Sequence, residues 1–360
     1  MGTRATAPPM PRHKKAAGFP VGVVGASGMV GRELLNVLAK SRFPVGRLAV
    51  FSSGKKARSV LFRGRRLPLS APSLAALRAC RLVFFVSSDE VSRRWAPALA
   101  QAGVWVIDDS SAFRLDPAVP LVIPEINAAA LSPKRRLIAG PNCTMSGLGL
   151  AAAALHRAAG ILELRAASYQ AVSGAGLAAL EEFLSQARAV SGRLDARRAD
   201  LFAEKLRGLR AKTLPRAIAF NVVPQVGSFA ADGYSGEEMK VAAELRKVLA
   251  APKLPVSVTA VRVPTLRGHA LAAWLRFKKP LSPARARAIL KKAPGVVFMD
   301  PPNYPTPADV AGRTEAFVGR LRRGAGANEL ALWVVSDNLL KGAASNSLQI
   351  AQELLRRGWL

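Results

Sequence analysis

Val21-Gly-Val-Val-Gly25-Ala-Ser-Gly28-Met-Val-Gly31-Arg-Glu-Leu-Leu-Asn-Val-Leu38 decides the fold of the first half of this chain. Val21–Val24 is a short apolar run of the kind seen in a strand covered on both faces. Glycines follow at 25, 28 and 31, and then Leu34, Leu35 and Leu38 recur at helical spacing. A strand, a glycine turn and a helix in that order leave unpaired N–H groups and the positive end of a helix dipole at the turn, which suits a pyrophosphate. Glycine turns also occur for packing alone, but the place directly after a buried strand favours a dinucleotide. Further runs at Leu48–Phe51, Leu82–Val86 and Val104–Ile107, with a helical pattern over Asp89–Ala102, predict a doubly wound parallel sheet.

Beyond about residue 148 the pattern changes. An Ala-rich helix ends near Gly160, and Arg165–Gln170 reads as a strand. One long helical stretch follows from Leu177 to about Leu209, then strand-like Val256–Val263, Ala270–Phe277 and Leu330–Val335, and an amphipathic helix over Leu339–Arg357. Strands and helices in blocks predict an α+β domain with a largely antiparallel sheet.

A length of 360 residues is long for one core, and 50% hydrophobic with 21% charged residues is ordinary for a globular protein, so two domains are expected. No apolar run reaches the ~18–20 residues of a membrane span. The first 18 residues carry Pro8, Pro9, Pro11, Arg12, Lys14 and Lys15 without an apolar stretch, and read as a basic, disordered leader outside the fold. Cys80 and Cys143 make no disulfide framework, which fits a reducing, cytoplasmic setting. A net charge of +30 raises nucleic-acid binding as a possibility. The cations are spread along the chain, however. Their densest run, Arg188–Lys212, sets Arg193, Arg197, Arg198, Lys205, Arg207 and Arg210 among apolar positions as a solvated helix face would. The expectation is weak, non-specific nucleic-acid binding only, with no metal site.

Phe51-Ser-Ser-Gly-Lys-Lys-Ala-Arg58 closes the second strand. A fold that selects NAD usually carries a carboxylate there for the ribose 2′-hydroxyl. Hydroxyls and cations suit a 2′-phosphate instead, and favour NADP over a plain polar loop. Cys143, in Pro141-Asn-Cys-Thr144, stands at the start of the Ala-rich helix, where the dipole is expected to lower a thiol pKa. Asn142 either caps that helix or offers its amide to a ligand. Cys80 beside an apolar strand reads as a core residue. Of three histidines, His13 lies in the leader and His156 on the Ala-rich helix, which leaves His269 as the candidate base by elimination. Glu237 and Lys240 share a helix face, and by themselves read as a surface ion pair.

Nine stretches, taken in order, resemble the aspartate-semialdehyde dehydrogenase family. They are Gly25–Gly31, Val106-Ile-Asp-Asp-Ser-Ser-Ala-Phe-Arg114, Val122-Ile-Pro-Glu-Ile-Asn127, Pro141-Asn-Cys143, Ser168-Tyr-Gln-Ala-Val-Ser-Gly-Ala-Gly176, Ala219-Phe-Asn-Val-Val-Pro224, Glu237-Glu-Met-Lys240, Arg262-Val-Pro-Thr-Leu-Arg-Gly-His269 and Asp337-Asn-Leu-Leu-Lys-Gly-Ala343. The resemblance implies reduction of 4-phospho-L-aspartate to L-aspartate 4-semialdehyde with NADP(H) and release of phosphate, a step in lysine, threonine and methionine biosynthesis. It implies that Cys143 is the nucleophile, His269 the acid/base and Gln170 an orienting group. Arg262 and Glu237 would hold the substrate carboxylate and ammonium, and Arg114, Asn142 and Lys240 the phosphate. Gly25, Ser27, Gly28, Met29, Val30, Ser52, Ser53, Ser173, Gly174 and Asn338 would contact the cofactor. A homodimer is implied, with a Rossmann-type domain over 19–142 that residues 338–360 complete, and a catalytic and dimerisation domain over 143–337. The chain departs from the family at Thr144, where serine is common, at Gly140, where asparagine is common, in the glycine-poor run Ser87–Ser92, and at Gln225. An N-acetyl-glutamyl-phosphate reductase-like enzyme is the competing reading in the same superfamily, although Glu237 would then have no ammonium to meet. A basic nucleic-acid-binding protein on a relic dehydrogenase fold is the competitor from another class.

Overall fold

The computed structural model describes residues 18–53, 58–192 and 194–360. The leader up to residue 17, with His13, lies outside the described residues, as do Lys55, Lys56 and Arg193.

Five parallel strands form the first sheet, in the order Val45–Phe51, Phe19–Val24, Leu82–Phe85, Trp105–Asp108 and Leu137–Ala139. Leu82–Phe85 and Trp105–Asp108 are buried along their whole length, which is why they read as unbroken apolar runs. The helix Met29–Lys40 turns Leu34, Leu35 and Leu38 onto this sheet. The C-terminal helix Ser345–Arg356 packs into the same core through Leu348, Ile350, Ala351 and Leu354. Beyond it, Trp359 stacks on Trp105 at 6.0 Å and its carbonyl accepts from the Trp105 indole N–H.

The second sheet has six strands in the order Val296–Phe298, Ala316–Arg323, Glu329–Ser336, His269–Phe277, Ile161–Gln170 and Val256–Arg262. Its inner pairs are antiparallel and the pair at each edge is parallel. The helix Cys143–Ala159 joins the two sheets and is buried along almost all of its length against the second. No helix among the described residues is long and apolar enough to cross a membrane.

Three elements differ from the sequence reading. The stretch from Leu177 is a helix only to Ser191. After Gly192, Asp195 accepts from the Arg197 N–H and starts a 3₁₀ turn over Ala196–Leu201, and a short helix Phe202–Arg207 follows. Side-chain capping competes with helix continuation there, so the cations of this region do not form one helical face. The last helix opens with a π turn over Leu340–Ala344 before Ser345. Asp337 Oδ1 accepts from the N–H groups of Leu339 and Leu340 and so fixes this irregular start. The strand expected from Ala270 begins one residue earlier: the turn ends at Gly268, with φ +89°, and His269 is the first residue of the strand and fully buried.

Candidate active site

The site lies where the N-terminus of Cys143–Ala159 meets the ends of three strands of the second sheet. Gln170 and Arg262 end neighbouring parallel strands and are register partners, while His269 begins the adjacent antiparallel strand. Strand pairing therefore brings together three residues that are as much as 99 positions apart in the chain (269 − 170).

Asn142 does both things its position allows. Its Oδ1 caps the helix by accepting from the Thr144 and Met145 N–H groups at 2.8 and 3.2 Å. Its amide donates to Glu237 Oε1 at 3.0 Å, and its backbone N–H donates to Glu244 Oε2 at 2.5 Å. Glu237 Oε1 also accepts from the Thr144 hydroxyl at 3.0 Å and from the Gln170 amide at 3.3 Å. Thr144 thus keeps a hydroxyl on Glu237. Among the described residues no ion pair joins Glu237 to Lys240, which corrects the surface-pair reading. Lys240 stands near Asp89 instead and helps hold that carboxyl below its usual range, after burial and the bonds from Ser111 are counted. Of the residues expected to hold phosphate, Lys240 is the one that does not line the cavity at Cys143.

Cys143 Sγ lies 3.4 Å from His269 Nε2. The other ring nitrogen, Nδ1, accepts from the backbone N–H of Ala171 at 3.1 Å. A backbone N–H can only donate, so the neutral ring carries its hydrogen on Nε2, facing the sulfur. Burial, with help from the Arg262 charge, lowers the His269 pKa to about 3, so the ring is neutral at physiological pH. The carbonyl of the same Ala171 accepts from Arg262 Nη1 at 2.8 Å. One peptide segment therefore sets both the imidazole and the guanidinium.

The thiol contradicts the expectation of a lowered pKa. Burial pushes Cys143 up to about 11, and the Glu237 charge pushes the same way, against Arg114 and Arg262. Desolvation is the largest of these influences. Cys80, the second thiol, is buried and raised by burial, as a core residue is.

Arg114 donates to the Gly140 carbonyl, to Glu244 and to the Asp109 carbonyl at 2.9, 3.1 and 2.7 Å. A guanidinium has five N–H donors, so two remain for a ligand. Glu244, fully buried, was not legible in the sequence, because only the folded chain places it against Arg114 and Asn142. Gly342 was also missed as a site residue. A Cβ there would lie 2.6 Å from Cys143 Cβ, so the π turn needs glycine to pass that residue. Gly342→Ala is expected to lower kcat by about 10- to 100-fold with the far-UV spectrum unchanged; a kcat within twofold of the parent would show that Cys143 tolerates the shift. Gly174, expected at the cofactor, sits against the catalytic side: its Cβ would meet His269 Nε2 at 3.0 Å and Arg262 Nη1 at 2.9 Å.

Two cavities meet at this point. One, of about 190 Å³, is lined by Val30, Asp109, Arg114, Asn142, Cys143, Ser173, Gly174 and Asn338. The other, of about 710 Å³, is lined by Gly25, Ser27, Gly28, Ser52, Ser53 and Arg94. Val86 and Ser87 line both. Met29 lines neither. Gly28 caps the first helix with no side-chain acceptor, which leaves that helix end open to an anion. Gly25 has φ +89°, and a Cβ on it would run into the Val86 carbonyl. The Ser27 and Ser52 hydroxyls, 2.7 Å apart, tie the turn to the end of the second strand. Asn338 Oδ1 accepts from the Gly268 N–H at 2.9 Å and its amide donates to Ser173, which holds the wall beside His269.

Residues 20–133 match the model of the semialdehyde dehydrogenase NAD binding domain, and residues 152–341 that of the semialdehyde dehydrogenase dimerisation domain. The chain is 40% identical to an aspartate-semialdehyde dehydrogenase of Synechocystis over 94% of its own length and 98% of that protein. It is 37% identical to the Bacillus subtilis enzyme of the same name, over 94% and 97%. Among solved structures, aspartate semialdehyde dehydrogenase II from Vibrio cholerae superposes with a TM-score of 0.87 at 33% identity, covering 94% of this chain and 99% of that one. The same Vibrio protein is known in complex with ASA. A thiol paired with a buried imidazole, next to a glycine-turn cleft, is thus held on a scaffold shared along nearly the whole chain, and the chain belongs to the aspartate-semialdehyde dehydrogenase family.

Proposed function

We propose that this chain reduces 4-phospho-L-aspartate to L-aspartate 4-semialdehyde with NADP(H), through a thioester on Cys143. The observation that carries the reading is Cys143 Sγ at 3.4 Å from a tautomer-fixed His269, in one cavity with Arg114 and Asn142 and with Glu237 alongside. An amino-acid zwitterion needs one cation and one carboxylate, and a phosphate needs cations and amides. Arg262 and Glu237 meet the first need, and Arg114 and Asn142 the second. Lys240 belongs to the phosphate site only if it swings from Asp89.

The substrate ammonium, paired with Glu237, cancels a charge that raises the thiol, and Arg114 and Arg262 then favour the thiolate. The thiol proton passes to solvent, Sγ adds to the acyl carbon, the C–S bond forms, and the C–O bond to phosphate breaks. The departing phosphate takes one proton from solvent. The cofactor, when bound, supplies a hydride to the thioester carbon. The His269 Nε2 hydrogen is shared with the resulting oxygen and recovered as the C–S bond breaks and the aldehyde leaves.

The glycine turn with its open helix end fits a pyrophosphate. Ser52 and Ser53, Arg94 in the same cleft, and the absence of a carboxylate at the end of the second strand favour the 2′-phosphate of NADP. A homodimer fits exposed Phe220 and Val222 on the segment that bridges Val223 to Arg262.

The testing assay is oxidation of L-aspartate 4-semialdehyde in the presence of phosphate, with NADP against NAD and with N-acetyl-glutamate semialdehyde as the rival substrate. The expected result is phosphate-dependent reduction of NADP with aspartate semialdehyde alone; preference for the acetylated substrate would overturn the reading. Glu237→Asp, which withdraws the carboxylate by one methylene, is expected to raise KM for the semialdehyde about tenfold or more with a smaller change in kcat. An unchanged KM would remove Glu237 from the substrate site.

A further inference from the structure

The space beside Gly140 is occupied by another side chain. A Cβ on Gly140 would run into Asp109 Oδ1. The Asp109 carboxyl thus sits in the space that a side chain at position 140 would take, on the wall of the cavity that holds Arg114, Asn142 and Cys143. The Ser347 hydroxyl, from the C-terminal helix, donates to Oδ1 at 2.6 Å. Oδ2 is buried and has no hydrogen-bond partner. An accepting Oδ1 leaves Oδ2 as the oxygen that carries the hydrogen when the group is a neutral acid.

We propose that Asp109 is a carboxylic acid whose Oδ2–H donates to the phosphate bound beside Cys143, so that anion affinity is lost when this proton leaves. The inference rests on the phosphate reading of Arg114 and Asn142 given above. Arg114 supplies the charge complement, with two N–H donors to spare, and it also donates to the Asp109 carbonyl at 2.7 Å. An ionised carboxylate in the same cavity would oppose the anion, whereas a neutral one adds a donor.

The charged and titratable groups around Asp109 are Asp108 at the end of the preceding strand, Arg114 from the same loop, Glu244 held by that arginine, and Cys143 on the helix opposite. Burial raises the Asp109 pKa to about 7, and Asp108 pushes the same way, against Ser347 and Arg114. Without bound substrate Cys143 is raised to about 11 and His269 lowered to about 3, so neither changes charge near neutral pH. A group with a raised pKa is protonated below it, so anion binding weakens as pH rises through that range.

The test uses sulfate as the probe, because its charge is fixed over the range while phosphate itself titrates. Its inhibition constant against phosphate is measured from about pH 6 to about pH 8.5, with cofactor and semialdehyde present. In the parent protein the constant is expected to rise about tenfold or more across that range. In Asp109→Asn, whose amide donates at every pH, it is expected to stay low and flat. Equal slopes in the two proteins would overturn the proposal. Independently of any variant, titration calorimetry of sulfate into the parent protein near pH 8, in buffers of different ionisation enthalpy, should register close to one proton taken up; none taken up overturns it. Turnover with a flat sulfate profile would remove only the role of Asp109. Absence of phosphate-dependent turnover would sink the phosphate reading and this inference with it.

Discussion

Cys143→Ala is expected to lower turnover by at least about 10⁴-fold in either direction while leaving NADP binding within about twofold of the parent. In the proposed route the sulfur is the nucleophile, and the other thiol among the described residues, Cys80, lies in a separate core with Val24, Phe85 and Leu99. Alanine keeps the Cβ on which Gly342 packs, so the helix end should not shift. The cofactor cleft around Gly25, Ser27 and Ser52 shares only Val86 and Ser87 with the reaction cavity, which is why binding should survive. Steady-state rates with fluorescence titration of NADPH would check both halves. A variant retaining more than about a hundredth of the parent rate would exclude a covalent route through this residue.

The second large effect is expected at His269. Asparagine there should cost about 10²- to 10⁴-fold in kcat, the usual range for a lost proton-transfer group. Its amide is shorter than the imidazole and cannot both accept from Ala171 and reach the sulfur. The KM for semialdehyde should move less, because Arg262 and Glu237 keep their own partners in Ala171 and in Asn142, Thr144 and Gln170. The parent profile should also show no His269 ionisation between about pH 5 and pH 9, since burial holds that ring near 3. Loss of less than tenfold in the variant would leave the imidazole as a packing group.

The glycine turn and the buried strand before it were plain in the sequence, because residues that contact one another there are neighbours in the chain. Cys143 at a helix start and His269 by elimination were equally readable as candidates. Their 3.4 Å approach was not, since strand register sets it. Glu244 sits 130 residues from Arg114, and nothing local marks a buried glutamate as its partner. Asp109 belonged to a quoted motif, but its occupation of the space at Gly140 is a contact between two loops after parallel strands. Glu237 and Lys240 share a helix face only loosely: three residues leave about 60° between them, and that angle points one at Cys143 and the other at Asp89. The thiol was misjudged because the helix end can be read from sequence and the burial cannot.

The central claim is a covalent aspartyl thioester on Cys143, and it has a direct measurement. Protein mixed with L-aspartate 4-semialdehyde and NADP without phosphate, quenched in acid and digested, should give the Cys143 peptide carrying one aspartyl acyl group. A burst of NADPH close to one per active site should accompany it, and phosphate added before the quench should discharge the adduct. An unmodified Cys143 peptide alongside that burst, or an acyl group found on another residue, would contradict the account.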